Sequence, residues 1–422
     1  MSVKLSIIIV SYKVPVFLRQ CLFSLEKATE QLKKEYAWES EIIVADNKSE
    51  DESAEMVKAV FPKVRLFENT ENIGFSRANN FAFSQSSGQY VLFINPDTLV
   101  PEDLFTSILP YMDEHPKTGA LGVKMTDADG RFQPESKRAY PTPMRAFGKI
   151  FRLNRLFPNS KKLNGYLLNK LNPNEIHKIE ILSGAFMLIR REAAEQTGLF
   201  DERFFMYGED IDLSYRLLKA GYENVYYGPK SIIHYKGEST KINTHRYISV
   251  FYEAMQIFID KHTGSKSKTV AFLLKTAVYM RASIAHVALN IKKITGLLPT
   301  GTKKYTLGDQ ILILGDSDDV KSIRKLFYEQ KKKCFIQAVL NPPETDSAES
   351  TCQTILQISQ KVKIETLIFN IDKQKASLFL CITEKLAGKG MHFYTISNQG
   401  KQLIGRDFRS LKTELNETNL SQ

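Results

Sequence analysis

Five short stretches carry residue types that could do chemistry. In Asp46-Asn47-Lys48-Ser49-Glu50-Asp51 a carboxylate precedes small polar residues, a set that can hydrogen-bond a nucleobase or a ribose. In Asn72–Asn80 (NIGFSRANN), Gly74 permits a tight turn at a helix start, and free backbone N–H groups beside Arg77 suit a phosphate. In Asn95-Pro96-Asp97 a carboxylate stands just past an apolar run, where it can bind a hard divalent cation that neutralises a diphosphate. The densest stretch, Gly198–Asp212, gathers Asp201, Glu202, Glu209, Asp210 and Asp212 around one helix start. A carboxylate there, beside a cavity, is a general-base candidate. Arg216, six residues after Asp210, could grip a phosphate bidentately. Last, His234 ends a short apolar run and reads either as a structural histidine or as a ligand. Each of the first three stretches also reads as a plain turn or helix start, and Glu209-Asp210 as complementing a helix dipole.

The apolar patterning supplies elements that could bring these residues together. Short buried strands are expected over Leu5–Val10, Glu41–Ala45, Val64–Glu68 and Tyr90–Ile94, with helices over Val16–Lys34, Asp51–Val60 and Phe75–Ser86 between them. That alternation predicts an α/β fold with a largely parallel sheet. Ligands of such sheets bind beyond the carboxyl ends of the strands. Ser11, Asp46 and Asp97 all lie at such ends and should share one crevice. An extended loop over Ser136–Lys170 follows, then strand character over Glu180–Arg190 and a helix over Asp210–Ala220. Two short strands are expected over Glu223–Tyr227 and Ser231–His234, and two helices over Ile248–Ile259 and Thr269–Ile294. After a linker at Leu297–Lys304 a second α/β unit begins, with strands over Gln310–Leu314, Cys334–Val339, Thr366–Ile371 and His392–Ile396 and a frayed tail of about twenty polar residues.

The chain has 422 residues, 43% apolar and 25% charged, which suggests two or three domains and excludes a disordered or collagen-like chain. Its four cysteines show no CxxC spacing, so they read as reduced thiols of a cytosolic protein. The opening MSVKLSIIIV is too short an apolar run for a signal peptide. The nearest thing to a membrane span, Thr269–Ile291, is interrupted by Lys275, Arg281 and His286. The net charge is +11, and it is concentrated. Ser136–Lys170 holds nine Lys/Arg and no acid; Lys241–Tyr305 holds eleven against Glu253 and Asp260, so the remainder carries 11 − 18 = −7. Two basic zones on an acidic body suggest an anionic partner: nucleic acid, anionic lipid or a phosphorylated substrate.

The order of the motifs SIIIVSYK, DNKSEDES, ENIGFSRANN, FINPDT, SGAFMLIRR, GLFDERFFMYGEDIDLSYRL and HYKG resembles the family 2 glycosyltransferases, and most of all their bacterial rhamnosyltransferase-like branch. The resemblance covers about residues 4–240. It implies a GT-A nucleotide-sugar-binding domain over 1–240; beyond it, charge and apolar spacing suggest a basic amphipathic helical segment over 241–305, and alternating strands and helices a Rossmann-like α/β domain over 306–422. It implies transfer of a sugar from a nucleotide diphosphate donor, with inversion at the anomeric carbon. Carried over by motif, Ser11 and Tyr12 would flank the nucleotide, Asp46 would contact the base, and Asn72, Gly74 and Arg77 the nucleoside diphosphate. Asn95-Pro96-Asp97 takes the place of the family's Asp-x-Asp metal motif, with Asn95 in place of the first acid, which lowers the site charge. Asp97 and His234 would hold Mg²⁺ or Mn²⁺, Asp210 would be the general base, Gly184 and Glu209 would line the acceptor side, and Arg216 would approach the diphosphate.

The expected partners are a dTDP-, UDP- or GDP-linked donor, a lipid-linked or saccharide acceptor of a bacterial surface polysaccharide, an anionic membrane surface and a second copy of the chain (a homodimer). The expected location is cytoplasmic, peripheral at the inner face of the cell membrane. A non-catalytic sugar-nucleotide scaffold is the competing reading, motivated by the C-terminal unit. There the run Ile311–Asp319 lacks GxGxxG, and the acids after Gly315 would repel a pyrophosphate, so no NAD is expected. No nucleic-acid motif accompanies the basic charge, so nucleic acid is not expected as a partner.

Overall fold

The structure, a computed structural model, describes residues 3–141, 165–236, 245–262, 268–294, 310–329, 333–342, 347–397, 402–405 and 408–412. Most of the basic loop expected over 136–170 and the expected linker at 297–304 lie outside these residues.

The first sheet has nine strands: β1 (Val3–Ser11), β2 (Glu39–Asp46), β3 (Arg65–Glu68), β4 (Tyr90–Ile94), β5 (Thr98–Leu99), β6 (Thr118–Thr126), β7 (Ile176–Ile179), β8 (Phe186–Arg190) and β9 (Glu223–His234). Their order is β3-β2-β1-β4-β8-β6-β9-β5, with β7 paired to β9. The strands β1 to β4 are mutually parallel where they pair, and β8 runs antiparallel to both β4 and β6.

Alternation along each strand divides the core between two faces. Leu5, Ile7 and Ile9 of β1 and Tyr90, Leu92 and Ile94 of β4 face helices α1 (Pro15–Tyr36), α2 (Ser53–Val60) and α4 (Leu104–Glu114). Ile8, Val10, Val91 and Phe93 face α3 (Phe75–Ser84), α5 (Arg191–Thr197) and α6 (Glu209–Lys219). Helices on both faces require strands apolar on both faces, which is why β1 reads as an unbroken LSIIIV run. The apolar set Leu18, Leu22, Leu25, Ala28 and Leu32 lies one helical turn apart along α1, and every member is fully buried.

Three local expectations change. The two short strands before His234 are one strand, β9. Its partner β6 pairs with both halves, and the register slips at Gly228-Pro229-Lys230 rather than ending there. The strand expected over Glu180–Arg190 begins only at Phe186, because Gly184 turns its N–H to Asp210 instead of to a neighbouring strand. The α4–β6 pair was not anticipated; Pro110 lies inside α4 and obscures its apolar period of Leu104, Ile108, Leu109 and Met112.

Two helices follow, α7 (His245–His262) and α8 (Lys268–Ile294). Within α8, Ala271–Ile291 is long and apolar enough to cross a membrane, by length and composition.

The second sheet has six strands in the order β11-β10-β12-β13-β14-β15: β10 (Gln310–Leu314), β11 (Phe335–Leu340), β12 (Thr366–Asn370), β13 (His392–Ser397), β14 (Gln402–Gly405) and β15 (Phe408–Lys412). Its helices are α9 (Ser317–Glu329), α10 (Ala348–Lys361) and α11 (Ala376–Leu386). The tail expected to fray begins instead with β14 and β15, which extend the sheet antiparallel from β13. Leu403 and Ile404 of β14 are buried, so tertiary burial overrides a polar local sequence. At the β10–α9 turn the Asp319 carboxylate accepts the Asp316 N–H at 2.8 Å, and a Cβ on Gly315 would lie 2.2 Å from it. An acid thus lies against Gly315 and caps the turn after β10.

The two sheets share one core. Leu99 and Ile233 of the first pack among Phe369, Phe379 and Leu380 of the second. The Glu102 carboxylate accepts the Ala376 and Ser377 N–H groups at the start of α11, and Lys124 pairs with Glu384 at 2.5 Å.

Candidate active site

The ends of β1, β2 and β4 form one wall. Ser11 and Asp46 are neighbours in the β1–β2 register, and Asn47 donates its N–H to Ser11 O at 2.9 Å. Asp46 is buried and accepts both the N–H and the hydroxyl of Ser49, so its carboxylate shapes the turn that ends β2. Ser11 Oγ is buried without a partner. The side chain of Tyr12 stays partly exposed beneath the Lys13 ammonium.

The next segment explains Gly74. Asn72 Oδ1 accepts the Gly74 N–H, Asn47 Nδ2 donates to Gly74 O, and Phe75 N donates to Phe205 O at 2.7 Å. Gly74 has φ +87°, and a Cβ there would sit 2.8 Å from Phe205 O. Gly74→Ala is therefore expected to destabilise the protein by about 1–3 kcal/mol, read as a lower midpoint in chemical denaturation. Arg77 is exposed beside Glu202, at 3.7 Å.

Beyond β4 lies an acid–histidine pair. Asp97 is buried, its Oδ1 has no hydrogen-bond donor, and His234 Nε2 stands 3.5 Å away, with Asn95 Nδ2 also 3.5 Å from that nitrogen. Gln133 fixes the ring. Its Nε2 donates to His234 O at 2.7 Å, which leaves its Oε1 facing His234 Nδ1 at 3.2 Å. His234 Nδ1 therefore donates to Gln133, and Nε2 faces Asp97. A buried orphan carboxylate oxygen beside an imidazole nitrogen suits a divalent cation. Among the described residues no group of three His, Cys, Asp or Glu side chains is gathered for a metal.

The acids around α6 separate by role. Asp201 is held well below the usual carboxylate range by Arg203 and Lys261. Glu202 lies beside Arg77 and accepts from Asn80. Asp212, fully buried, takes Arg216, Lys261 and His262. Two acids remain at the helix start. Asp210 Oδ2 accepts Arg138 Nη2 at 2.6 Å and Gly184 N at 3.0 Å, and Oδ1 accepts the Ile211 N–H. Gly184 packs closely here, since a Cβ would lie 3.3 Å from the Asp210 Cβ. Burial and the Asp210 charge push Glu209 up to about 8, and its Oε2 has no partner. The Arg138 guanidinium is buried, which alone would lower it; Asp210 and the Tyr166 hydroxyl outweigh that and hold it above its ordinary value, while its Nε stays unpartnered.

Glu209 protonates between its ordinary 4.5 and about 8, so its folded pKa lies above its unfolded one. Its stabilising contribution is complete below about 4.5 and is lost as pH rises through about 8. Glu209→Gln, which mimics the protonated form, is expected to flatten the fall in stability across that window, as read by unfolding at a series of pH values.

The dipeptide Gly184-Ala185 joins the two poles of the site. Its first N–H goes to Asp210, and Ala185 O accepts the Asn95 N–H at 3.0 Å. Arg216 is elsewhere. It donates to Asp212 and to the carbonyls of Thr197, Gly198 and Leu199, so the expected contact with a diphosphate is corrected to a tether between α5 and α6. Arg138 and Gln133 were missed. Both come from the segment after β6, and nothing in their local pattern marks them.

The model of Glycosyl transferase family 2 matches residues 6–198. The N-acetylglucosaminyl-diphospho-decaprenol L-rhamnosyltransferase of Mycobacterium tuberculosis is 30% identical over 292 residues, spanning 66% of this chain and 92% of that protein. The chain belongs to glycosyl transferase family 2. The transferase is also similar to the rhamnosyltransferase WbbL of Escherichia coli, 28% identical over 38% of this chain and 61% of that one. A solved structure, the mannosyltransferase PcManGT of Pyrobaculum calidifontis in complex with GDP-Man and Mn²⁺, aligns with a TM-score of 0.43 and 16% identity over 70% of this chain and 80% of that one. The transferase has a GT-A-type sheet and a second α/β sheet at its C-terminal end. It is an enzyme, a glycosyltransferase.

Proposed function

We propose that this transferase moves a sugar, rhamnose foremost, from a nucleoside diphosphate to a lipid-linked or saccharide acceptor in bacterial surface polysaccharide synthesis, with inversion. The observation that carries this reading is the pair of poles joined by Gly184-Ala185: Asp97 with His234 on one side, Asp210 with Glu209 on the other. An inverting displacement needs both, a base toward the acceptor and a place for the leaving diphosphate.

Ser11, Tyr12, Asp46 and the Asn72–Arg77 turn border the donor nucleotide. Asp97 and His234, with Asn95 beside them, would hold Mg²⁺ or Mn²⁺, which supplies positive charge to the leaving diphosphate. Asp210 takes the acceptor hydroxyl proton. A carboxylate has about four acceptor sites, and three are filled here by Arg138, Gly184 N and Ile211 N, so one remains. Glu209, protonated at neutral pH, keeps a second negative charge out of the acceptor side. Arg138 holds the Asp210 carboxylate in place. We further propose three parts, 1–240, 241–305 and 306–422, and a cytoplasmic enzyme at the inner membrane face that meets anionic lipid and pairs with a second copy.

A screen of dTDP-, UDP- and GDP-sugars with and without EDTA tests this. Turnover of dTDP-rhamnose, suppressed by EDTA and restored by Mg²⁺ or Mn²⁺, is expected. Turnover confined to a UDP- or GDP-sugar would remove rhamnose, and full activity in EDTA would remove the metal.

A further inference from the structure

Helix α8 exposes a long row of apolar side chains. Leu273, Met280, Ile284, Val287 and Ile291 are all exposed, Leu273 at 61% and Ile284 at 59%. They stand 7, 11, 14 and 18 residues after the first, each close to a whole number of turns at about 3.6 residues per turn. They form one narrow apolar stripe. Ala271, Val278 and Leu289 are buried on the opposite side. Arg281 falls at one margin of the stripe, whereas Lys268 and Lys275 lie on the far side, beyond Phe272 and Tyr279, and Lys275 pairs with Asp260 of α7 at 2.5 Å. From Lys268 to Ile294 the sequence holds no Asp or Glu, and Lys292 and Lys293 add to its charge.

We propose that α8 lies in the plane of an anionic lipid surface, stripe down, and does not cross the bilayer. The charge chooses this occupant: an acid-free helix with Arg281 beside its apolar stripe and Lys292-Lys293 at its C-terminal end matches anionic headgroups over acyl chains. The packing excludes a span. Ile259, Ala271 and Val278 share a small core near one end of α8, and His245 bonds His286 and Asn290 near the other. The helix α7 therefore runs alongside α8, and a crossing would drag Glu253, Asp260 and Lys261 into hydrocarbon, where each charge is costly.

This placement also orients the site. Near its C-terminal end α7 is fastened to α6 through Lys261 and His262, both on Asp212, two residues from the proposed base. Tyr207, just before Glu209, meets Tyr247 and Phe251 of α7. A surface that holds α8 thus holds the acceptor side at a set distance from the lipid. The inference rests on the proposed lipid-linked acceptor only for its purpose; the contact itself is tested apart from transfer.

The test is flotation of the full chain with vesicles of phosphatidylglycerol and phosphatidylcholine at about 1:3, against phosphatidylcholine alone. Wild type should float with the anionic vesicles at low salt and be stripped by alkaline carbonate. The double variant Met280→Glu/Ile284→Glu should lose roughly tenfold or more of that partition while transfer to a soluble acceptor stays unchanged. Carbonate-resistant protein would mean a span, and unchanged partition of the variant would mean another surface. Absence of lipid binding together with a wild-type dimer that the variant breaks would assign the stripe to a second copy. Each of these three outcomes overturns the proposal, whether or not the donor screen succeeds.

Discussion

Asp210→Asn is expected to lower sugar transfer by about 10²–10⁴-fold, the range for removing a positioned general base, while the KM for the donor stays near its wild-type value. The amide keeps the shape of the carboxylate but cannot take the acceptor proton. The donor-side groups are on other elements, at Ser11, Asp46, Asn72–Arg77 and Asp97, so donor binding should survive. The variant also leaves Arg138 beside a neutral group in a buried place. Breaking a buried pair by removing one charge typically costs about 3–5 kcal/mol, so unfolding must be measured alongside activity. A variant folded at the assay temperature that transfers within about tenfold of wild type would reject Asp210 as the base.

The second large effect is expected at the other pole. Asp97→Ala should reduce kcat/KM by about 10²–10³-fold, of the order seen when one stabiliser of developing charge is removed. It should leave the fold intact, because Oδ1 of Asp97 has no hydrogen bond to lose. Gln133→Leu acts through the ring it orients. It frees His234 to adopt the other tautomer, and the concentration of Mg²⁺ or Mn²⁺ needed for half-maximal activity should rise about 10–100-fold. That shift in metal requirement, with kcat near wild type at saturating metal, separates positioning from general damage. Arg216→Ala provides the contrast, since its contacts are the 197–199 carbonyls and Asp212. It should lower the unfolding midpoint and leave the donor KM unchanged; a raised donor KM without loss of stability would return Arg216 to the diphosphate.

The site was most legible where a carboxylate follows an apolar run. Asp46 and Asp97 stand at strand ends and Asp210 at a helix start, and a buried strand or an amphipathic helix announces itself by its period. Arg138 and Gln133 were not legible. They reach the site from the segment between β6 and β8, and only the tertiary fold sets them against Asp210 and His234. Arg216 shows the opposite error. The four-residue spacing from Asp212 was in the sequence, and it marks an ion pair along one helix more directly than a ligand. The second sheet was legible through β13, where apolar strands alternate with helices. The strands β14 and β15 were not, because their pairing depends on the open edge of β13. At the acid-rich turn Asp316–Asp319, the partner of the Asp316 N–H, the Asp319 carboxylate, came only from the structure.

The central claim is a single displacement with one base and no covalent sugar intermediate. The configuration of the new glycosidic bond, read by NMR on the product of one donor of known anomeric configuration, tests it most directly. The account predicts that the product carries the opposite configuration to the donor. A product with the donor's own configuration would contradict it, since retention requires a double displacement or attack on the leaving group's own face, and neither is the single opposite-face displacement assigned here.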